Sequence, residues 1–210
     1  MNVAILNYNI GNLASVQNAL IHASRELTNT TITIESNPHN LARYDKILLP
    51  GVGAFGDAIA HLRAIGMDKA IKEFAQSGKY ILGICLGMQL LFTQSEEFGI
   101  HEGLGLLEGK IESFDRNALK GLKIPHVGWN QCHLTTKGVQ SALFAGLPRD
   151  FYLYFVHSFH SMDCSDTLAV CEYGYTFSAI VGRDNVFGIQ PHPEKSHEVG
   201  LKILANFLKL

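Results

Sequence analysis

Residues 83–87 read Gly83-Ile84-Cys85-Leu86-Gly87, and no other stretch restricts the fold as tightly. An apolar, β-prone run, Tyr80-Ile81-Leu82, leads into them, and a helix-like run, Met88-Gln89-Leu90-Leu91-Phe92, leads out. Strand, G-x-C-x-G, helix is the pattern of a nucleophile elbow with cysteine in place of serine. Glycines two before and two after the cysteine permit a turn too sharp for side chains there. Such a turn pushes the Cys85 sulfur out above the sheet. A helix N-terminus beside the sulfur favours thiolate, the reactive form. A buried structural cysteine in front of a helix produces the same pentapeptide, so both readings stand on these five residues alone.

The surrounding first half alternates strand and helix signals. Val3-Leu6, Thr31-Glu35, Asp45-Leu49 and Tyr80-Ile84 read as strands. Leu13-Ala23 has apolar residues at helical spacing, and Ala54-Ala75 reads as two helical stretches broken near Gly66. Alternation of this kind implies a parallel sheet with helices on both faces. The second half carries shorter strand candidates: Lys110-Phe114, Trp129-Leu134, Phe151-Val156, Leu168-Tyr173, Ser178-Val181 and Val186-Gln190. Turn signals at Ala145-Gly146, Asp163-Cys164-Ser165-Asp166 and Gly182-Arg183-Asp184-Asn185 separate them. Hairpins added to the sheet fit these better than a second domain. Glu198-Leu208 closes the chain as an amphipathic helix. No repeat, low-complexity tract or linker interrupts residues 1–210, so one domain is expected.

Composition narrows the partners. Hydrophobic residues make up 47% and charged residues 17%, which suits a globular chain rather than a disordered one. Net charge is −2 and no basic run appears, which disfavours nucleic acid and an anionic membrane surface as partners. No apolar run reaches the ~18 residues of a membrane span. The start, Met1-Asn2-Val3-Ala4-Ile5-Leu6, has no basic segment and reads as a first strand, not a signal peptide. Cys85, Cys132, Cys164 and Cys171 form no C-x-x-C pair, so free thiols in a reducing cytoplasm are expected.

Three further constellations carry chemistry. In Gln190-Pro191-His192-Pro193-Glu194, an extended chain points His192 and Glu194 to one side. Flanking prolines restrict the backbone. A carboxylate beside an imidazole fixes its tautomer and stabilises its cation. Alone this is also a proline-rich turn with a solvated His and Glu; beside an elbow cysteine it is the base and orienter of a triad. Pro50-Gly51-Val52-Gly53-Ala54-Phe55-Gly56 contains G-x-G-x-x-G. The next strand, Tyr80-Ile84, ends in Cys85 and not in an acidic residue suited to a ribose, which argues against dinucleotide binding. Backbone N–H groups of Gly53 and of Leu86, the residue after the nucleophile, are the donors an acyl-transfer enzyme needs at an oxyanion. His157-Ser158 follows the strand candidate Phe151-Val156, and Pro125-His126-Val127-Gly128-Trp129-Asn130 comes earlier. Whether these line a crevice or cap a turn is open, and Trp129 suits a core or an interface. The histidines show no metal-ligand spacing, so no metal and no cofactor is expected.

Gly83-Ile84-Cys85-Leu86-Gly87-Met88-Gln89-Leu90-Leu91 together with His192-Pro193-Glu194 resembles the class I (triad-type) glutamine amidotransferases. Pro50-Gly51-Val52-Gly53-Ala54-Phe55, Pro125-His126-Val127-Gly128-Trp129-Asn130, Tyr154-Phe155-Val156-His157-Ser158 and His192-Pro193-Glu194-Lys195-Ser196 resemble one branch of that family. That branch is the glutaminase subunits of imidazole glycerol phosphate synthase, in histidine biosynthesis. The resemblance implies a flavodoxin-like three-layer α/β sandwich, its central sheet mostly parallel, with antiparallel hairpins added in the C-terminal half. It implies hydrolysis of L-glutamine to glutamate and ammonia. Cys85 would attack, His192 would move protons and Glu194 would orient His192. Gly51, Val52, Gly53 and Leu86 would form the oxyanion hole, and Gln89, His157, Ser158 and Phe159 would hold glutamine.

The same resemblance implies a cytoplasmic heterodimer with a (β/α)₈ cyclase, to which the ammonia passes, with Asn12, Trp129 and Lys195 at the interface. Paralogues with the same chemistry feed sugar-amidating partners in surface-glycan synthesis, which is the alternative. Intact Cys85, His192 and Glu194 disfavour a regulatory protein without catalysis. Gln89 and the P-H-V-G-W-N segment disfavour a γ-glutamyl hydrolase. Two positions depart from the family pattern: Pro191 replaces the usual Phe of Q-F-H-P-E, and Asn7-Tyr8-Asn9-Ile10-Gly11-Asn12 replaces D-Y-G-x-G-N. Glycines on both sides of Val52 would let one peptide flip between carbonyl-in and N–H-in, so that a partner could switch the site on.

Overall fold

The computed structural model describes residues 1–9, 12–119, 121–162 and 164–210. The expected turn at Asp163-Asp166 and the pattern Asn7-Asn12 therefore fall partly outside the described residues, at Asp163, Ile10 and Gly11. In chain order the elements are β1 (Asn2–Leu6), α1 (Leu13–Ala23), β2 (Thr31–Glu35), β3 (Lys46–Gly51), α2 (Phe55–Ala64), α3 (Met67–Gln76), β4 (Tyr80–Cys85) and α4 (Leu86–Leu90). There follow β5 (Phe92–Ser95), β6 (His101–Glu102), β7 (Leu107–Ser113), β8 (His126–Leu134), α5 (Thr136–Gln140), β9 (Asp150–His157) and β10 (Phe159–His160). The chain ends with β11 (Thr167–Tyr173), β12 (Tyr175–Arg183), β13 (Val186–Ile189) and α6 (His197–Lys209).

A nine-stranded sheet runs in the order β2-β1-β3-β4-β13-β12-β11-β8-β9. Its first five strands are parallel, as the strand and helix alternation implies. From β13 outward every pairing is antiparallel, so the added strands β12, β11, β8 and β9 make up four of the sheet's nine. The short strands β10-β7-β5-β6 form a separate four-stranded sheet, which the expectation of a single sheet missed.

Alternating residues of the parallel strands feed two cores. Val3, Ile5, Leu48, Leu82 and Ile84 face α1 and α6, packing with Val16, Leu20, Ile203, Leu204 and Phe207. Ala4, Leu6, Ile47, Leu49 and Ile81 face α2 and α3, packing with Phe55, Leu62, Met67, Ile71 and Phe74. Burial on both faces is why β3, β4 and β13 are nearly continuous apolar runs. Helix, sheet and helix make three layers, the flavodoxin-like arrangement.

Several elements differ from their expected bounds: β8 begins at His126 and β12 spans Tyr175–Arg183. The helix after the elbow spans only five residues, Leu86–Leu90, and Phe92 already begins β5. Backbone N–H groups of Leu104, Leu106 and Leu107 bond the carbonyls of Leu90 and Leu91. Those bonds satisfy the helix end, and β5 then pairs with β7.

Candidate active site

The parallel strands β1, β3, β4 and β13 bring their C-terminal ends together, the edge where ligands of open α/β sheets bind. Tyr8, Gly51, Cys85 and Gln190 all sit there, just at or beyond those ends. Cys85 adopts φ 54°, ψ −114°, a conformation strained for a side-chain-bearing residue. The elbow glycines make this turn possible. A Cβ on Gly83 would lie 2.6 Å from the Gly87 carbonyl oxygen, and one on Gly87 only 1.6 Å from that of Leu49. A Cβ on Gly51 would meet the Tyr8 hydroxyl at 2.6 Å and the Leu86 Cβ at 2.9 Å. The Tyr8 hydroxyl donates to the Pro50 carbonyl at 2.7 Å and ties β1's end to β3's. Burial, with Cys85 nearby, pushes the Tyr8 phenol far above its usual range, so it stays a neutral donor.

A cavity of about 290 Å³ opens over this edge. Val52, Gly53, Cys85, Leu86, Gln89, Ser158, Phe159 and His192 line it, with Glu97, Pro125, Val156, His157 and Lys195. The space equals the liquid volume of about ten waters.

His192 enters from the segment after β13. Its backbone N–H bonds the Tyr154 carbonyl at 2.8 Å, and its carbonyl accepts from the Ser196 hydroxyl. Its Nδ1 lies 2.8 Å from Glu194 Oε1, with both side chains almost fully buried. The two were expected to meet through an extended chain. Only His192 is extended, and Pro193–Lys195 form a 3₁₀ turn that folds Glu194 back. Pro191, where the family pattern has Phe, leaves this pair intact. His192 Nε2 is buried without a hydrogen-bond partner among the described residues. Burial by itself lowers the imidazole pKa, but Cys85 and Glu194 outweigh it and raise it to about 9.

Among the expected glutamine-holding residues, Ser158 lines the cavity from the bend after β9 and Phe159 from the start of β10. Gln89 donates through Nε2 to the Phe159 carbonyl at 3.0 Å and to Gln190 Oε1 at 2.9 Å. The imidazole of His157 departs from its expected role. Its Nδ1 bonds the Phe159 carbonyl and its Nε2 bonds His126, both at 2.9 Å. Burial holds it well below the usual histidine range, so it is neutral and both ring nitrogens are committed internally. His157 therefore shapes the wall and has no ring nitrogen left for a ligand.

Three residues escaped the sequence reading. Glu97 lines the cavity, and its Oε2 accepts from the Phe55 N–H at 2.6 Å at the start of α2. Burial is the main cause that raises its carboxyl above the usual range. Tyr8 and Gln190 are the others. A polar or aromatic residue directly after a buried parallel strand was the available signal for both, and Glu97 had none.

The expected interface residues lie on three elements: β8, the 193–195 turn and the start of α1. Trp129 is 43% exposed, stacks on His197 and approaches Tyr154. Lys195 lies over the Tyr154 ring. Asn12 occupies the N-cap position of α1, a helix that packs against the 193–195 turn.

The family model for class I glutamine amidotransferases matches residues 9–210. The chain belongs to that family. It is 56% identical over 216 residues to the imidazole glycerol phosphate synthase subunit HisH of Helicobacter hepaticus, covering 100% of this chain and 99% of that one. It is 56% identical over 210 residues to the HisH subunit of Sulfurimonas denitrificans, covering 99% and 97%. Among solved structures, PurLQS from Thermotoga maritima superposes with a TM-score of 0.74 at 22% identity, covering 99% of this chain and 97% of that one. That last likeness concerns the fold alone. Membership makes this chain a glutamine amidotransferase. Among the described residues no helix is long and apolar enough to cross a membrane.

Proposed function

We propose that Cys85, His192 and Glu194 hydrolyse L-glutamine and that the ammonia passes to a cyclase subunit of imidazole glycerol phosphate synthase, in histidine biosynthesis. The observation that carries this reading is the buried His192–Glu194 pair beside Cys85, with His192 Nε2 left free. A buried polar atom without a partner is costly unless a reacting group uses it. Here the Cys85 thiol is the group at hand.

His192 Nε2 takes the thiol proton and the sulfur attacks the carboxamide carbon. The oxyanion forms against N–H groups of Leu86 and of the Gly51-Val52-Gly53 loop. His192 returns the proton to nitrogen as ammonia leaves, giving a glutamyl thioester. Water then attacks with His192 as base, the C–S bond breaks, and glutamate departs. Glu194 holds the ring in one tautomer and stabilises its cation. Gln89, Ser158 and Phe159 hold the amino-acid end of glutamine, and the Glu97 carboxylate suits its ammonium. Glutamine has as many non-hydrogen atoms as the cavity has room for waters.

The HisH relatives are subunits by name, which supports a cyclase partner for this chain. The exposed face of the β8–β9 hairpin carries Val127, Trp129 and Tyr152, and its Val156 reaches the cavity. A partner seated there, over Trp129 and Lys195, would cover the site and keep ammonia from water. Residues 1–210 then act as one domain, in the cytoplasm where such biosynthesis takes place. Glutamate release should be measured with purified (β/α)₈ cyclase present, in the parent and in Cys85→Ala. Loss of hydrolysis in the variant, with the ammonium-dependent synthase reaction retained, is expected. Hydrolysis that survives in Cys85→Ala removes this reading, and hydrolysis without transfer to the cyclase favours the sugar-amidating partner.

A further inference from the structure

The five-residue α4 offers the Cys85 sulfur only a small helix dipole. Gln190 stands against it. This side chain is 0% exposed, and its Nε2 lies 3.8 Å from Cys85 Sγ.

The orientation of the Gln190 amide follows from its neighbours. The Phe159 carbonyl can only accept, so the Gln89 atom 3.0 Å from it is the NH₂. That same NH₂ lies 2.9 Å from the Gln190 amide and requires an oxygen there. The other end of Gln190, facing sulfur, is therefore NH₂. The Phe159 carbonyl also accepts from His157 Nδ1, whose ring is held in turn by His126. Inverting the Gln89 amide would set oxygen against oxygen at Phe159, and inverting the Gln190 amide alone would set NH₂ against NH₂ at Gln89.

A buried NH₂ without a good acceptor costs roughly 1–3 kcal/mol. A neutral thiol is a weak acceptor, whereas a thiolate is a charged one. A thiolate offsets the cost of burying the Gln190 NH₂ better than a thiol, whose S–H faces the Val156 carbonyl 4.0 Å away. We propose that the Gln190 side-chain amide is the donor that holds the Cys85 sulfur as thiolate, with Gln89 and the Phe159 carbonyl as its positioning groups. This rests on Cys85 being the nucleophile. The ionisable groups around Cys85 are His192 with Glu194 behind it, Tyr8 from β1, His157 from β9, and Glu97 and Lys195 across the cavity. His192 changes charge during the reaction, while a neutral amide donates at every step. It thus serves twice, on the free thiolate before attack and on the sulfur that receives the electron pair when water cleaves the thioester.

The test is alkylation of Cys85 by iodoacetamide in the full chain, followed on the Cys85 peptide by mass spectrometry across pH. The variants are Gln190→Met and Gln190→Leu, which remove the donor, and Gln89→Met, which frees its orientation. At neutral pH, alkylation in the Gln190 variants is expected to be about tenfold slower than in the parent, with the rates converging in alkali where every thiol is ionised. Gln89→Met should shift the profile in the same direction by less. A parental profile in the folded Gln190 variants overturns the proposal. So does a slowing by one constant factor at all pH values, which reports access and not ionisation. If neither Gln190 variant folds, Gln89→Met decides by the same two criteria. Glutamine hydrolysis by the parent is scored separately, so this proposal can fail while the glutaminase reading stands.

Discussion

His192 Nδ1 and Glu194 Oε1 lie 2.8 Å apart, with side-chain exposures of 3% and 1%. Two residues apart in sequence, they face each other because a 3₁₀ turn begins at Pro193. If His192 carries the proton as proposed, replacing it by Ala costs roughly four orders of magnitude in glutaminase turnover. Glu194→Gln keeps the shape and loses the charge, so its loss should be smaller, about 10²–10⁴-fold. Steady-state glutamate release checks both. Equal, small losses would place the pair outside the mechanism.

The same pair makes stability depend on pH. His192 is raised from its ordinary 6.5 to about 9 by Cys85 and Glu194, against the lowering effect of burial. A group raised on folding stabilises the native state fully below its unfolded pKa. That contribution fades as pH climbs through the folded value. Stability should therefore fall between about pH 6.5 and about pH 9, by roughly 1–3 kcal/mol. Urea midpoints across this window check it, and Glu194→Gln should flatten the slope. A slope as steep in Glu194→Gln as in the parent would show that the carboxylate does not hold the imidazolium.

Strain at Cys85 predicts an inverted order of variants. At φ 54°, ψ −114°, glycine is at ease and alanine is not. Cys85→Gly should be more stable than Cys85→Ala by about 1 kcal/mol, against the usual preference for alanine. Both should be inactive. Thermal melts decide, and a more stable alanine variant would mean that the elbow relaxes without its sulfur.

The strand and helix order of residues 1–85 was legible because buried parallel strands are continuous apolar runs and amphipathic helices have a strong period. The elbow was legible because Gly83 and Gly87 are forced by the contacts a side chain there would make. Less legible were contacts made by distant backbone. α4 stops at Leu90 because residues 104–107 cap it, and nothing in Met88-Phe92 announces that. His157 was read as facing substrate, since a histidine at a strand end looks the same whether its ring turns outward or, as here, bonds His126. Glu97 comes to the cavity from the small second sheet, whose existence short strands of mixed pattern do not signal.

Tyr8 links two strand ends through one hydroxyl. Tyr8→Phe leaves the buried Pro50 carbonyl without its 2.7 Å donor, for a loss of about 1–2 kcal/mol. Because Pro50 precedes the oxyanion loop, turnover should fall as well. Chemical denaturation and glutamate release are the measurements. Unchanged stability would mean that water replaces the hydroxyl.

Trp129 is the largest exposed aromatic on the β8–β9 face. Buried aromatic anchors commonly dominate protein interfaces. Trp129→Ala should weaken binding to the cyclase at least about tenfold by calorimetry, while the isolated chain folds normally. Parental affinity would move the interface to another face.

The sequence places glycines on both sides of Val52, and the structure distinguishes them. Gly51 belongs to β3, opposite Cys85, and Tyr8 and Leu86 fill the space around it. Gly53 has φ +100° and open space within 4 Å of its Cβ position. Freedom to flip therefore lies in the Val52–Gly53 peptide. Rotating that peptide by half a turn would carry Gly53 to a negative φ, which alanine prefers. Gly53→Ala should shift the population toward the flipped orientation without a clash. An N–H aimed at the oxyanion is worth roughly 10²–10³ in rate, so the ratio of cyclase-stimulated to unstimulated turnover should change at least about tenfold. Turnover is measured with and without the liganded cyclase in the parent and in Gly53→Ala. If the parent alone is already as fast as the complex, or if Gly53→Ala keeps the parental ratio, the loop is no switch and the partner acts elsewhere.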